Sequence, residues 1–293
     1  MFRISVFISV ILITSGTVFA QMADGRLKFQ QGQVFEINLQ TKTTVAQQAM
    51  GQSIDFNVDA SGIHTYKVTN TTDDNHTLNH TVNRITFSFD GMGQKQSFDS
   101  DKPKDMNGQF GKPIKEMLEK KYDMIIDPFG KVLMVMPESF TASANDSRMA
   151  VITNMMKEVV DVVQPPGKGK ASFFNVIPEK DGGLNLGDAW TQSGETPAEK
   201  FESAYSITAI TDSTIIVDYV TNSNTVTKAE MMGNETITSM KNKSAGKITL
   251  DRVTGIIREK TITTDSNGST ETSFGTLPVT SKTTTIIIVK ALQ

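Results

Sequence analysis

Two of the three histidines, His76 and His80, are four residues apart. On a helix this spacing would place both rings on one face, where they could bind zinc. The surrounding residues alternate like a β-strand, and on a strand that rises about 3.3 Å per residue the two rings stand about 13 Å apart. That separation is too large for one metal ion. We therefore expect solvent-facing strand histidines, and His64 has no evident partner in the sequence.

Acidic residues cluster at two places. Asp99-Ser100-Asp101, followed by Asp105, has some of the oxygen density that calcium prefers, but it lacks the glycine and the terminal glutamate of an EF-hand loop. A polar loop is the interpretation we adopt. Asp73 and Asp74 could in principle form a catalytic pair, but residues of this type are ordinary in turns.

Motifs for known enzyme chemistry are missing from the sequence. It contains no nucleophile elbow, HExxH motif, Walker loop or three-glycine dinucleotide motif. It also contains no cysteine, which excludes a cysteine nucleophile, disulfides and an amino-terminal lipid anchor. We expect a protein that is not an enzyme, with no cofactor and no metal site.

Methionine is unusually frequent, with 15 residues in the chain. Because methionine adapts to irregular apolar space, a methionine-rich helix facing a sheet predicts a pocket for an apolar ligand. The same residues would also suit an ordinary core between sheet and helix. The residues that we expect to line such a pocket are Met124, Met134, Met136, Met155, Met156, Phe173, Phe174 and Trp190.

The amino terminus and the charge balance indicate an exported protein. Arg3 precedes an apolar run, and Val18-Phe19-Ala20 resembles a cleavage site, so residues 1–20 are predicted to be a signal peptide. No later apolar run is long enough for a transmembrane helix. The formal net charge of −3 argues against a nucleic-acid partner. A periplasmic or outer-envelope location follows from this pattern.

The first half, residues 21–163, alternates apolar and polar residues in extended segments. Strands are predicted at 33–44, 53–58, 64–69 and 79–89, with Tyr66 and Val68 on one face and a hairpin loop at 73–75. Helical spacing predicts helices near 113–121 and 148–163. Between them, a turn at 128–130 joins two short strands.

A proline- and glycine-rich segment, 164–185, is predicted to be a linker before a second β-rich half at 186–293. A hairpin is predicted from 204–210 and 214–220, and further strands at 247–263 and 282–289. Segments 221–229 and 270–280 are polar enough to be edge strands or loops.

Short patterns recur in the same order in both halves, which suggests an internal duplication. Gly32 to Phe35 corresponds to Gly187 to Trp190, Tyr66 to Thr69 corresponds to Tyr205 to Thr208, and the Asp127 turn corresponds to the Asp251 turn. The intervals differ, being 34 residues from Gly32 to Tyr66 and 18 from Gly187 to Tyr205.

The order of these features resembles an uncharacterised family of exported Gram-negative bacterial proteins, a domain of unknown function. The resemblance is carried by Lys28-Phe29-Gln30-Gln31-Gly32-Gln33, by Asp127 to Val132 after a helix, and by Gly187 to Trp190 after a second helix. It implies no catalytic residues. The architecture is also similar to that of periplasmic lipid and lipoprotein carriers, whose curved sheets wrap around helices.

We therefore predict a mainly β (α+β) fold, with two related halves of curved antiparallel sheet packed on one or two short helices. The leading functional hypothesis is a non-catalytic envelope protein that binds an apolar or lipid-like ligand. A structural or interaction protein, whose partner is another envelope protein, is the main alternative. A hydrolase with unrecognised carboxylates is the third.

Overall fold

Strands account for most of the fold. The computed structural model describes residues 22–49, 52–91, 93–108, 110–136, 163–231, 234–273 and 275–292. The predicted signal peptide lies outside these residues. Of the predicted helix 148–163, only Val163 lies inside them. The described residues form one twelve-stranded antiparallel sheet and two short helices, which confirms the predicted fold class.

The first half supplies six strands and both helices. In chain order the elements are β1 (Val34–Ala49), β2 (Gln52–Thr71), β3 (His76–Gly91), β4 (Gln94–Asp99), α1 (Pro103–Met106), α2 (Gly111–Glu119), β5 (Lys121–Ile126) and β6 (Val132–Met136). The helix predicted near 113–121 is α2. It places Ile114 and Met117 in the core, as its apolar spacing requires.

The second half supplies six further strands. They are β7 (Ala189–Glu195), β8 (Glu199–Ile210), β9 (Thr214–Met231), β10 (Asn234–Asp251), β11 (Ile257–Thr272) and β12 (Gly275–Leu292).

The two halves form one continuous sheet. Its strand order is β6-β5-β3-β2-β1-β12-β11-β10-β9-β8-β7, so that β1 and β12 join the halves at the centre. This junction is long, because its antiparallel register runs from Val34 opposite Leu292 to Gln47 opposite Val279. Strands β6 and β7 form the two edges.

The helices belong to an excursion between β4 and β5. One end of β3 pairs with β4 and the other end pairs with β5. The chain therefore leaves the sheet after β4, forms α1 and α2, and returns to the other end of the same strand. Helix α2 packs back against the sheet through Ile114 and Met117, together with Phe87, Phe98 and Phe110.

Buried side chains lie on one face of the sheet, which we call the inner face. Two irregular segments, 22–30 and 163–188, cover one end of this face, which we call its base. They add Leu27, Phe29, Phe174 and Ile177 to the main core. The predicted linker therefore lies partly in the core layer. Its buried Asn175 fastens the two covering segments together, because the side-chain amide donates to the carbonyls of Gly25 (2.6 Å) and Ile177 (3.0 Å).

The recurring sequence motifs have matching hydrogen bonds in the two halves. The Gly32 amide donates to the Val68 carbonyl, and the Gly187 amide donates to the Ile207 carbonyl. Both glycines have positive φ angles, 87° and 86°. The unequal motif spacing arises because the β1–β2 hairpin is longer than the β7–β8 hairpin. The duplication itself stays a prediction.

The two aspartate turns also match. Asp127 accepts hydrogen bonds from the amides of Phe129 and Lys131, and Asp251 accepts them from the amides of Val253 and Thr254. The segment 22–30 contacts both turns, since the Leu27 amide donates to Pro128 and the Lys28 amide donates to Thr254. This segment therefore bridges the two halves at the base of the sheet.

Several predicted boundaries were wrong. Segments 53–58 and 64–69 belong to the single strand β2, whereas 247–263 is divided between β10 and β11 by the turn after Asp251. Segments 221–229 and 270–280 are neither edge strands nor loops. The first lies in β9, between β8 and β10, and the second forms the hairpin of β11 and β12. Polar composition was misleading because the inner face itself becomes polar there.

Candidate functional site

The inner face of the second half consists of successive transverse rows, each with one residue from each neighbouring strand. The row nearest the covered base is apolar except at one position. Its members, from β8 across to β1, are Ile207, Val217, Ile248, Lys260, Ile287 and Leu39. The five apolar members are buried, so this row belongs to the main core.

The next row begins with stacked aromatic rings. Trp190, Tyr205 and Tyr219 are opposite one another on β7, β8 and β9. The ring centroids of Trp190 and Tyr205 are 5.3 Å apart, and those of Tyr205 and Tyr219 are 5.5 Å apart. Gly246 follows Tyr219 in the row, and no side chain therefore extends the stack onto β10.

The third row carries a hydroxyl group on six consecutive strands. Its members, from β8 across to β1, are Ser203, Thr221, Ser244, Thr264, Thr283 and Thr43. Alternate neighbours are hydrogen-bonded: Ser203 to Thr221 at 2.7 Å, Ser244 to Thr264 at 2.8 Å, and Thr43 to Thr283 at 2.9 Å. The inner face thus changes from apolar to hydroxylated within four residues along each strand.

Tyrosine hydroxyls connect the aromatic row to the hydroxyl row. Burial raises the pKa of Tyr205, and a hydrogen bond with Ser203 opposes this shift. Burial also raises the pKa of Tyr219, against hydrogen bonds with Thr221 and Ser244. Both tyrosines therefore direct their hydroxyl ends toward the polar row and keep their rings beside the apolar one.

Lys260 is the one charged member of the apolar row. Its ammonium nitrogen lies 5.2 Å from the centroid of the Tyr219 ring, a cation–π geometry. Burial lowers the pKa of Lys260 to about 8. The cation thus lies against a ring of the aromatic row.

The matching region of the first half has a different composition. Phe35, Tyr66, His80 and Tyr122 form its transverse row on β1, β2, β3 and β5. The His64 Nδ1 and His80 Nε2 atoms are 2.9 Å apart, and both side chains are fully buried. Phe173 and Phe174 of the covering segment contact His64 and Tyr66, respectively, with ring centroids 5.3 Å apart in each pair.

Burial keeps this histidine pair neutral. It lowers the pKa of His64 well below its ordinary value, and the neighbouring His80 lowers it further. Burial also lowers the pKa of His80 to about 4, although the Val163 carbonyl opposes the shift. Within the described chain, the Tyr66 hydroxyl and the His64 Nε2 atom have no hydrogen-bond partner. Each ring therefore carries one proton, and one of these two protons lies in the hydrogen bond between them.

The prediction that the histidines face solvent was wrong. His64 is two residues from the buried Tyr66, and His80 is two residues from Leu78 and Val82, which places both rings on the inner face. His76 is buried as well and hydrogen-bonds through Nδ1 to Thr71 at 2.6 Å. The alternation around Tyr66 was the sequence signal that could have shown His64 to be buried. The contact between His64 and His80 depended on the register of β2 and β3.

The residues predicted to line a pocket are divided between the main core, an exposed sheet edge and the part of the chain that is not described. Met124 and Phe174 are fully buried in the core, and Phe173 and Trp190 pack at its margin. Met134 and Met136 lie on the opposite face of the sheet edge from Met124 and are exposed by 42% and 58%. Met155 and Met156 lie outside the described residues.

Sequence reasoning missed the hydroxyl row and Lys260. Each strand repeats the spacing of a core residue followed by hydroxyl residues at even intervals, as in Tyr219 and Thr221. That alternation is visible in the sequence, but the alignment of six strands is not. The side to which Lys260 points was obscured because 247–263 was predicted to be a single strand.

The acidic cluster at the end of β4 has a structural role. Asp99 accepts two hydrogen bonds from the Arg84 guanidinium, at 2.9 and 3.1 Å, which lower the pKa of its carboxyl group. The Asp105 carboxylate accepts a hydrogen bond from the Asp99 amide at 2.9 Å. Asp73 and Asp74 lie in the turn between β2 and β3, as expected.

Solved structures resemble the chain at low sequence identity. Lipovitellin, in a structure described by its lipid–protein interactions, is 10% identical, with a TM-score of 0.47 over 91% of this chain and 26% of that one. The chain thus spans about a quarter of lipovitellin. The COG4313 outer membrane channel from Pseudomonas putida F1 is 7% identical, with a TM-score of 0.26 over 90% of this chain and 98% of the channel. At these TM-scores the likenesses carry no functional argument.

Comparisons by sequence give the family. No curated protein matches the chain. None of the helices in the described ranges has the length and apolar character required to cross a membrane. A family model matches residues 73–257, which is more than half of the chain. The chain therefore belongs to the Family of unknown function (DUF6263).

Proposed function

We propose that this protein is a non-catalytic exported envelope protein that binds a lipid-like ligand against the inner face of its second half. The observation that carries the proposal is the order of the three rows, from buried apolar side chains through stacked aromatic rings to six hydroxyl groups. This order is complementary to a molecule with an apolar chain and a polar end. The signal-like pattern of residues 1–20 supports export.

The bonding of the carboxylates supports a role without catalysis. Each carboxylate of the described chain with a clearly shifted pKa is held by a basic side chain: Asp99 by Arg84, Asp188 by Lys180, and Asp251 by Arg258. Asp188 and Asp251 also accept backbone amides in turns. These contacts give each carboxylate a structural purpose, and where two carboxylates lie together, Asp99 and Asp101, they share the Arg84 guanidinium.

The test is native mass spectrometry of the protein purified from cells that produce it naturally, followed by denaturing extraction and lipid analysis. We expect a stoichiometric adduct of lipid size. Ser244→Phe fills the inner face at the hydroxyl row, whereas Ala245→Phe places the same bulk on the opposite, exposed face. The adduct should be lost from the first variant and retained by the second.

A bare mass for the wild-type protein, with no binding of added lipids, would refute the proposal. So would an adduct that both variants retain equally. Circular dichroism and thermal unfolding of both variants establish that a lost adduct does not reflect a lost fold.

The alternative is a structural or interaction protein. It is favoured by the apolar side chains of edge strand β6, where Leu133, Met134 and Met136 are each at least 39% exposed. An exposed strand edge is a template for pairing with another chain. If the wild-type protein carries no adduct, crosslinking through cysteines introduced at Met134 and Met136 would identify the envelope partner.

A further inference from the structure

Lys260 is partly buried, and no carboxylate of the described chain accompanies it. Arg84 and Arg252, which are also partly buried, each contact an aspartate. Lys260 lies between Ile248 and Ile287 in the apolar row, and its one described polar contact is the face of the Tyr219 ring. In the part of the chain that the structure describes, this cation has no counter-ion.

Retaining such a cation is unfavourable for folding. Moving an ammonium group out of water opposes folding, and a ring face compensates only in part. An uncharged side chain of similar length would fit an apolar row better. With a pKa of about 8, Lys260 nevertheless remains mostly protonated at neutral pH. The position therefore holds a positive charge that no carboxylate among the described residues neutralises.

Hydroxyl groups that can donate to an anion follow this charge along the inner face, beyond the Tyr219 ring. Tyr219, under the ammonium, hydrogen-bonds with Thr221 and Ser244 of the hydroxyl row. Thr264 is four residues beyond Lys260 on the same face of β11 and hydrogen-bonds to Ser244. A carboxylate placed here would meet the cation and the nearby tyrosine and serine or threonine hydroxyls, while an attached alkyl chain would lie over the partly buried side chains of the aromatic row, Ile262 and Trp190.

We infer that Lys260 binds the carboxylate of a long-chain amphiphile, with the hydroxyl row completing the head-group site. This inference rests on the proposed function and specifies its ligand class. A single cation matches a singly charged head group, and the surrounding hydroxyls satisfy the carboxylate oxygens that the ammonium does not reach.

The experiment compares oleate with oleyl alcohol, which has the same chain and no charge. Binding is measured by isothermal titration calorimetry below the critical micelle concentration, with the purified protein in its wild-type form and as Lys260→Met and Lys260→Arg. Lys247→Met, on the exposed face of β10, is the matched control. We expect the wild-type protein to bind oleate about tenfold or more tightly than the alcohol.

Lys260→Met should remove this preference, Lys260→Arg should preserve most of it, and Lys247→Met should leave it unchanged. Equal binding of oleate and alcohol by the wild-type protein would overturn the head-group assignment and leave the proposed function intact. An unchanged preference in Lys260→Met would also overturn the assignment. If neither probe binds to the wild-type protein, both the assignment and the proposed function fail. If a lysophospholipid binds more than tenfold more tightly than oleate, the recognised head group is a phosphate and the carboxylate assignment is overturned.

Discussion

The two halves place different chemistry on matching positions of one sheet. Tyr66 and Tyr205 follow equivalent motifs, and their partners across the next strand are His80 and Tyr219. In the first half the row ends at Tyr122 and is covered by Phe173 and Phe174. In the second half the aromatic part of the row ends at Tyr219, because Gly246 follows it.

The two halves differ in how they treat polar groups on the inner face. The first half encloses a polar pair, His64 and His80, within aromatic side chains, and the pair has no charge at neutral pH. The second half keeps a charge, Lys260, on the same face as the hydroxyl row. One framework thus serves as a closed core on one side and as a surface suited to an amphiphile on the other.

Removal of an aromatic side chain should lower the free energy of unfolding most in the first half, whose aromatic core is closed. Phe174→Ala is expected to lower the free energy of unfolding by about 4 kcal/mol, because the ring is fully buried among Phe29, Phe35 and Tyr66. Trp190→Ala, at the partly exposed end of the aromatic row, should lower it by roughly 2 kcal/mol. Urea unfolding followed by circular dichroism measures both values. Equal losses would show that the second half is packed as tightly as the first.

Acid should lower the stability of the protein through the histidine pair of the first half. The pKa of His80 is about 4 in the folded protein and near 6.5 in the unfolded chain, so that the unfolded state binds more protons between these values. The contribution of His80 to stability should therefore fall by about 3 kcal/mol as the pH drops from about 6.5 to about 4. Urea unfolding at several pH values checks this expectation.

A double variant, His64→Leu with His80→Leu, is the control for the acid effect. It removes both partners of the hydrogen bond together, so that neither ring nitrogen is left alone. We expect a flatter dependence of stability on pH between 6.5 and 4. A slope equal to that of the wild-type protein would assign the acid sensitivity to carboxylates instead.

Lys260 should give a pH dependence of the same sign at higher pH, because its pKa is also lowered by burial. Its pKa is lowered in the folded protein, which means that the buried charge destabilises the fold below about pH 8 and that this penalty decreases as the pH rises toward 10.5. Lys260→Met should therefore stabilise the protein by about 2 kcal/mol at pH 7 and by much less at pH 10. Lys247→Met should change stability by less than about 0.5 kcal/mol at either pH. A destabilised Lys260→Met would show that the ammonium has a favourable partner.

The hydroxyl row should contribute least to stability. Ser244→Ala removes one hydrogen bond to Thr264 and should lower the free energy of unfolding by about 1 kcal/mol. Thr263→Val, on the opposite face of β11, should change it by less than about 0.5 kcal/mol. Thermal unfolding of the pair distinguishes these effects. A loss above about 3 kcal/mol from Ser244→Ala would make the row a structural element rather than a surface suited to a ligand.

The sequence alone determined the fold class and the positions of several strands, turns and one helix. Alternation around Tyr66 predicted the buried face of β2, helical spacing predicted α2, and the turns at Asp73 and Asp127 followed from turn-forming residues. The family resemblance through Asp127 and Gly187 was also evident, because short motifs are contiguous. These features depend on neighbours along the chain, whose geometry the backbone limits to a few alternatives.

Only the tertiary structure decided which strands are neighbours and in what register. It joined β1 to β12, brought His64 within hydrogen-bonding distance of His80, and aligned hydroxyl residues from six strands. It also separated Met134 and Met136 from Met124, although all three had seemed parts of one pocket. A one-residue change in register moves every side chain to the other face, and that register is fixed by packing across the whole sheet rather than by any single segment.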